Sequence, residues 1–154
     1  RWNIDVSRFA LHGFSGGGQF VHRFLYLHPE RLSAVSIGAP GRVTLPDPSR
    51  GWWQGVGELP ARFGVDWAPE VVRTVPIQLV IGARDSAAAD LAAVAADGNG
   101  TTRLERMQSL AEALRSLGAE PRIDVVDGAG HERLTVLSVV RDFLSEHVLR
   151  SAGR

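Results

Sequence analysis

The chain has 154 residues, 44% of them hydrophobic, enough for one domain with a real core. Its 17 basic and 17 acidic residues cancel, with no basic run, which argues against a nucleic-acid or anionic-membrane surface. Every basic residue is arginine and there is no cysteine, so Schiff-base lysines, Ser–Lys dyads, phosphate-loop lysines, disulfides and thiol catalysis are all excluded.

The chain begins at Arg1 without a methionine, and Arg8 to His12 is predicted as a first short strand. Gly13-Phe14-Ser15-Gly16-Gly17 follows, and Gly16 to His28 then carries Phe20, Phe24 and Leu27 at helical spacing. A serine therefore sits at a tight strand-to-helix corner with glycines two residues away on each side. Only small residues suit so sharp a turn, and a side chain at Gly13 or Gly17 is expected to collide with the neighbouring strand or helix. The helix aims its free N–H groups and the positive end of its dipole at Ser15. The run Gly16-Gly17-Gly18 is no phosphate cradle, lacking both a lysine and Gly-x-Gly-x-x-G spacing.

Pro29 ends the helix, and Leu32 to Ile37 is a continuous apolar run typical of a buried parallel strand. The pattern then dissolves from Ala39 to Pro69, a stretch holding most of the prolines and Trp52, Trp53 and Trp67. Residues 39–74 read as a lid-like insertion or a long excursion over the sheet edge. Phe14, Trp52 and Trp53 are candidates for walling a substrate pocket, against the plainer reading of loop packing. Val75 to Gly82 is the clearest strand, with Ala83-Arg84-Asp85 leaving its end. Ala87 to Ala96 suggests a short helix. Thr102 to Leu117 is predicted helical, with a capping box formed by Thr102 and Glu105 and a stop at Gly118. Arg122 to Val126 is the last strand, Asp127 to His131 its exit loop, and Leu134 to Val148 an amphipathic closing helix.

Strands alternating with helices predict a parallel sheet covered on both faces, an α/β class. In such sheets function gathers beyond the carboxyl ends of the strands. Ser15, Asp85 and His131 each follow a predicted strand, so all three open on one edge. A serine hydroxyl needs a base to take its proton. An imidazole, with an ordinary pKa of about 6.5, supplies one at neutral pH, and a carboxylate on its far nitrogen fixes the tautomer. Asp90 and Asp127 rival Asp85 for that place, while Asp124 lies inside a strand. His12 reads as a polar residue filling space beneath the turn, and His22 and His28 as surface or packing residues. Five scattered histidines make no metal site.

On Gly13-Phe14-Ser15-Gly16-Gly17, Val80-Ile81-Gly82-Ala83-Arg84-Asp85 and Gly128-Ala129-Gly130-His131, the sequence resembles the C-terminal part of an α/β-hydrolase of the esterase, lipase and dienelactone-hydrolase group. The chain order serine, acid, histidine is that family's own. The resemblance implies that residues 1–154 are part of one catalytic domain that cleaves a small carboxylic ester without a cofactor. In it Ser15 is the nucleophile, His131 the base, Asp85 the acid and the Gly16 N–H one oxyanion donor. It also implies further strands before the elbow and a second donor from a loop among them, so the chain alone is expected to be poorly stable or inactive unless the rest of the protein is supplied. A prolyl-oligopeptidase-like peptidase, an acyltransferase and a non-catalytic binding remnant stay open as alternatives. No stretch is apolar enough to span a membrane, and the oligomeric state and compartment are not legible.

Overall fold

The computed structural model describes residues 7–85 and 98–152. The helix expected over Ala87 to Ala96, and with it Asp90, lies outside the described residues.

Four strands, β1 (Phe9–Phe14), β2 (Leu32–Gly38), β3 (Ile77–Gly82) and β4 (Arg122–Val126), form one sheet in the order β1-β2-β3-β4, every pair parallel. Between and after them run α1 (Gly16–Leu27), two short helices α2 (Leu59–Phe63) and α3 (Pro69–Val72), α4 (Arg103–Ser116) and α5 (Arg133–Ala152). Because each strand joins its neighbour through a crossover, all four carboxyl ends point the same way. This is the expected parallel α/β architecture.

The alternation of side chains along each strand divides the core. Val35, Ile37, Ile77, Leu79 and Ile81 pack with Val21, Leu25 and Tyr26 of α1 and with Met107, Leu110 and Leu114 of α4. On the opposite face Val80 meets Val136 and Val140 of α5. The two central strands are buried on both faces, which is why they read as unbroken apolar runs. Under α5 the sheet also carries a polar row. His12 Nδ1 lies 3.1 Å from Ser36 Oγ, which donates to Gln78 Oε1 at 2.7 Å. Gln78 Nε2 in turn donates to Asp124 Oδ2 at 2.6 Å and to the Val139 carbonyl of α5 at 3.3 Å. The row satisfies polar groups that burial would otherwise leave costly, and it places His12 beneath the turn, as its sequence position suggested.

Residues 39–74 contribute Val43, Val56, Leu59 and Val72 to the main core. Fully buried His22 ties this segment to α1: its Nδ1 pairs with the Gly18 carbonyl at 2.7 Å and its Nε2 accepts the Thr44 N–H at 2.9 Å. Both bonds are met only by the neutral ring with its proton on Nδ1. Burial pushes the His22 pKa down to about 4. None of the described helices is long and apolar enough to cross a membrane.

Candidate active site

β1 runs two residues past its expected end, to Phe14, and α1 starts at Gly16, leaving Ser15 alone at the corner. Its backbone sits at φ 57° and ψ −114°, a sparsely populated region for a residue with a side chain. The Ser15 N–H donates to the Gly38 carbonyl at 2.8 Å, and the Ser15 carbonyl accepts the Gln19 N–H at 3.0 Å. These bonds anchor the corner to β2 and to the helix it begins.

The glycine expectation is half corrected. A Cβ on Gly13 would run into the Gly17 carbonyl and the Val21 side chain, so Gly13 must lack one. A Cβ on Gly17 would meet nothing within 4 Å, because that residue turns outward on the first turn of α1. The tight contact expected there falls instead on Gly18, whose Cβ would meet the Gly38 carbonyl of β2.

Beyond β3, the Asp85 N–H donates to the Gly82 carbonyl at 3.0 Å and the Arg84 N–H to the Ala129 carbonyl at 2.8 Å, so the loop after β3 is stitched to the loop after β4. A Cβ on Gly82 would collide with the Ala129 and Gly130 carbonyls, which shows how closely the two loops pack.

The structure brings the three singled-out residues together. His131 Nε2 lies 2.9 Å from Ser15 Oγ, and His131 Nδ1 lies 2.6 Å from Asp85 Oδ2. A carboxylate only accepts, so Nδ1 carries the proton toward Asp85 and Nε2 turns its lone pair to the Ser15 hydroxyl. The Asp85 side chain is fully buried while that of His131 is 30% exposed, so the charge is enclosed and the imidazole edge is open. Phe14 does not reach outward; its ring lies against the His131 imidazole at a centroid distance of 4.9 Å. The rival Asp127 is exposed, and Asp124 is engaged by Arg122 and Gln78.

One partner was not foreseen from sequence. Arg103, the first residue of α4, donates from Nη1 to Asp85 Oδ1 at 3.0 Å, with its side chain only 7% exposed. Asp85 thus holds His131 with one oxygen and Arg103 with the other. An arginine in the first turn of a helix sits against the helix dipole, and that mismatch was the one signal available.

Beside Ser15 opens a groove of about 540 Å³, lined by Gly16, Phe20, Arg23, Phe24, Trp52 and Phe63 among others. Of the three tryptophans considered, Trp52 lines it, Trp53 lies under the guanidiniums of Arg23 and Arg42, and Trp67 packs edge-on against buried Tyr26.

A parallel sheet with a strained serine corner after β1, the acid after β3 and the histidine after β4 defines the α/β-hydrolase fold. Among solved structures the chain is similar to poly(aspartic acid) hydrolase-1 from Sphingomonas sp. KT-1, with TM-score 0.74 and 24% identity over 90% of this chain and 55% of that one. It is similar also to LpqC, a poly(3-hydroxybutyrate) depolymerase from Bordetella parapertussis, with TM-score 0.68 and 27% identity over 97% of this chain and 50% of that one. SOBER1 of Arabidopsis thaliana matches with TM-score 0.61 and 16% identity, over 95% of this chain and 56% of that one. The chain therefore spans about half the length of the solved structures it matches. No protein-family model and no curated protein matches the sequence.

Proposed function

We propose that this chain carries the reacting groups of a serine hydrolase that cleaves carboxylic esters through an acyl-enzyme. The observation that carries the reading is the continuous series Ser15 Oγ, His131 and Asp85, with contacts of 2.9 and 2.6 Å. Structural neighbours named as a hydrolase and a depolymerase support the broader class.

In this reading Ser15 Oγ attacks the ester carbonyl as its proton passes to His131 Nε2. Asp85 keeps the imidazole in the required tautomer and stabilises the cation that forms, without itself taking the proton. The first N–H groups of α1 have no partner inside the helix, and that of Gly16 donates to the oxyanion as the carbonyl becomes tetrahedral. His131 then gives its proton to the departing alcohol, and a water activated by the same nitrogen releases the acid and restores Ser15. Residues 39–74 serve as a wall of the groove through Trp52 and Phe63.

Labelling with a fluorophosphonate probe, followed by intact mass, tests the reading: one adduct is expected, at Ser15. The Ser15→Ala variant should lose the adduct and at least about a thousandfold in ester turnover. A variant that turns over esters at near wild-type rate would remove Ser15 from the mechanism. Faster release of an aminoacyl anilide than of an ester would favour a peptidase, and preference for an alcohol acceptor over water an acyltransferase.

A further inference from the structure

The groove follows one stripe of α1. Gly16, Phe20, Arg23 and Leu27 are spaced by four, three and four residues, so they stack on one helix face. Phe20, Phe24, Trp52 and Phe63 give the groove aromatic walls, and among the described residues no acidic side chain lines it. Arg23 lines the groove, and Arg42, which is not among the lining residues, stands beside it over the Trp53 ring. The guanidinium carbon of Arg23 lies 5.9 Å from the ring centroids of both Trp52 and Trp53, and that of Arg42 lies 5.1 Å from the Trp53 centroid. Arg23 is fixed by a 3.0 Å bond from Nε to Thr44 Oγ1. Arg50, Arg62, Arg103 and Arg122 all form salt bridges, whereas among the described residues neither Arg23 nor Arg42 does.

Two half-buried cations sharing one tryptophan repel each other, and burial with the charge of Arg42 lowers the Arg23 pKa. A bound anion would offset both costs at once, and the guanidinium fork is suited to a carboxylate. Seven residues of helix separate Gly16 from Arg23, a rise of about 10 Å. We propose that Arg23 and Arg42 form a subsite for a carboxylate that the substrate carries about 10 Å from its scissile carbonyl, across an apolar spacer lying on Phe20, Phe24 and Trp52. The substrate class is then an ester with a distal acid. This rests on Ser15 being the nucleophile.

The para-nitrophenyl hemi-ester of azelaic acid and its methyl ester differ in that distal charge and in one methyl group. At low salt the wild-type chain should favour the acid in kcat/KM by about tenfold, the worth of one charge-assisted contact, with the preference shrinking as ionic strength rises. Arg42→Gln and Arg23→Gln should each bring the ratio close to unity. Equal kcat/KM for the two esters in the wild type, or a preference kept by both variants, overturns the proposal. If Arg23→Gln fails to fold, Arg42→Gln decides, since Arg42 stands half exposed over Trp53.

Binding is also read without turnover, by titrating monomethyl azelate against tryptophan fluorescence. A saturable change in the wild type that is absent from the Arg23→Gln/Arg42→Gln double variant supports the subsite. No change in the wild type, or the same change in the double variant, overturns it. If neither this chain nor a longer protein that contains it takes up fluorophosphonate, the nucleophile reading fails, and the titration alone decides the anion site.

Discussion

At the scale of single residues, the site depends on a carboxylate pulled two ways. Asp85 is buried between His131 and Arg103, and removing one partner of a buried charge pair leaves the other without compensation. In the proposed mechanism, Arg103→Met is therefore expected to lower kcat for ester cleavage by more than about tenfold, from misplacement of the imidazole. Arg103→Lys should recover part of that loss, because it keeps the charge and loses the fork. Steady-state kinetics on the three proteins checks this, and equal kcat in all of them would reduce Arg103 to a packing residue. Ser15, Asp85 and His131 were legible because each follows a predicted strand and a glycine, and strand ends collect chemistry in a parallel sheet. Arg103 was not, since an arginine after a capping threonine looks like any surface cation until the fold turns it toward Asp85. The error at Gly17 has the same origin. The Gly-x-Ser-x-Gly pattern says that a tight turn is present, but not which glycine faces the neighbouring backbone.

At the scale of elements, continuous apolar runs and caps located most of the architecture. β4 spans Arg122–Val126 as expected, and the capping box of Thr102 and Glu105 closes in both directions. α1 stops at Leu27, one residue before its expected end, and α5 extends from Arg133 to Ala152, past the expected Val148. α2 and α3 escaped notice because helices of five and four residues, each entered through a proline, are too short to show a period. His22 is the tie between α1 and the segment after β2, and it holds only in the neutral form. Its folded pKa of about 4 lies below the ordinary 6.5, so between those values the unfolded chain binds more protons. The contribution of His22 is complete above about pH 6.5 and is lost as pH falls toward 4. Thermal melts from pH 7 to 4.5 should show the wild type losing stability more steeply than His22→Gln. Parallel curves would show that this histidine does not govern the acid limb.

At the scale of the molecule, the sheet has two open sides among the described residues. β1 forms one edge, and Phe9 and Phe20 beside it are 37% and 59% exposed. β4 forms the other, with Val125 48% exposed. Unpaired strand edges next to exposed aromatic rings are templates for pairing with another chain. The 154-residue chain is therefore expected to self-associate as its concentration rises, and Phe9→Lys, which puts a charge on the edge, should shift sedimentation toward the monomer. A wild-type chain that stays monomeric throughout would show that the edge is already blunted.

The order of the strands has a consequence for how the protein is made. Ser15 and His131 are 116 residues apart in the chain, and the histidine follows β4. During synthesis on a ribosome Ser15 emerges before His131, and in the proposed mechanism it stays chemically quiet until β4 and His131 have left the tunnel. In the proposed mechanism, reactivity toward a fluorophosphonate thus marks molecules synthesised past His131. Prematurely terminated products ending before His131 would carry the serine corner yet remain dark to the probe.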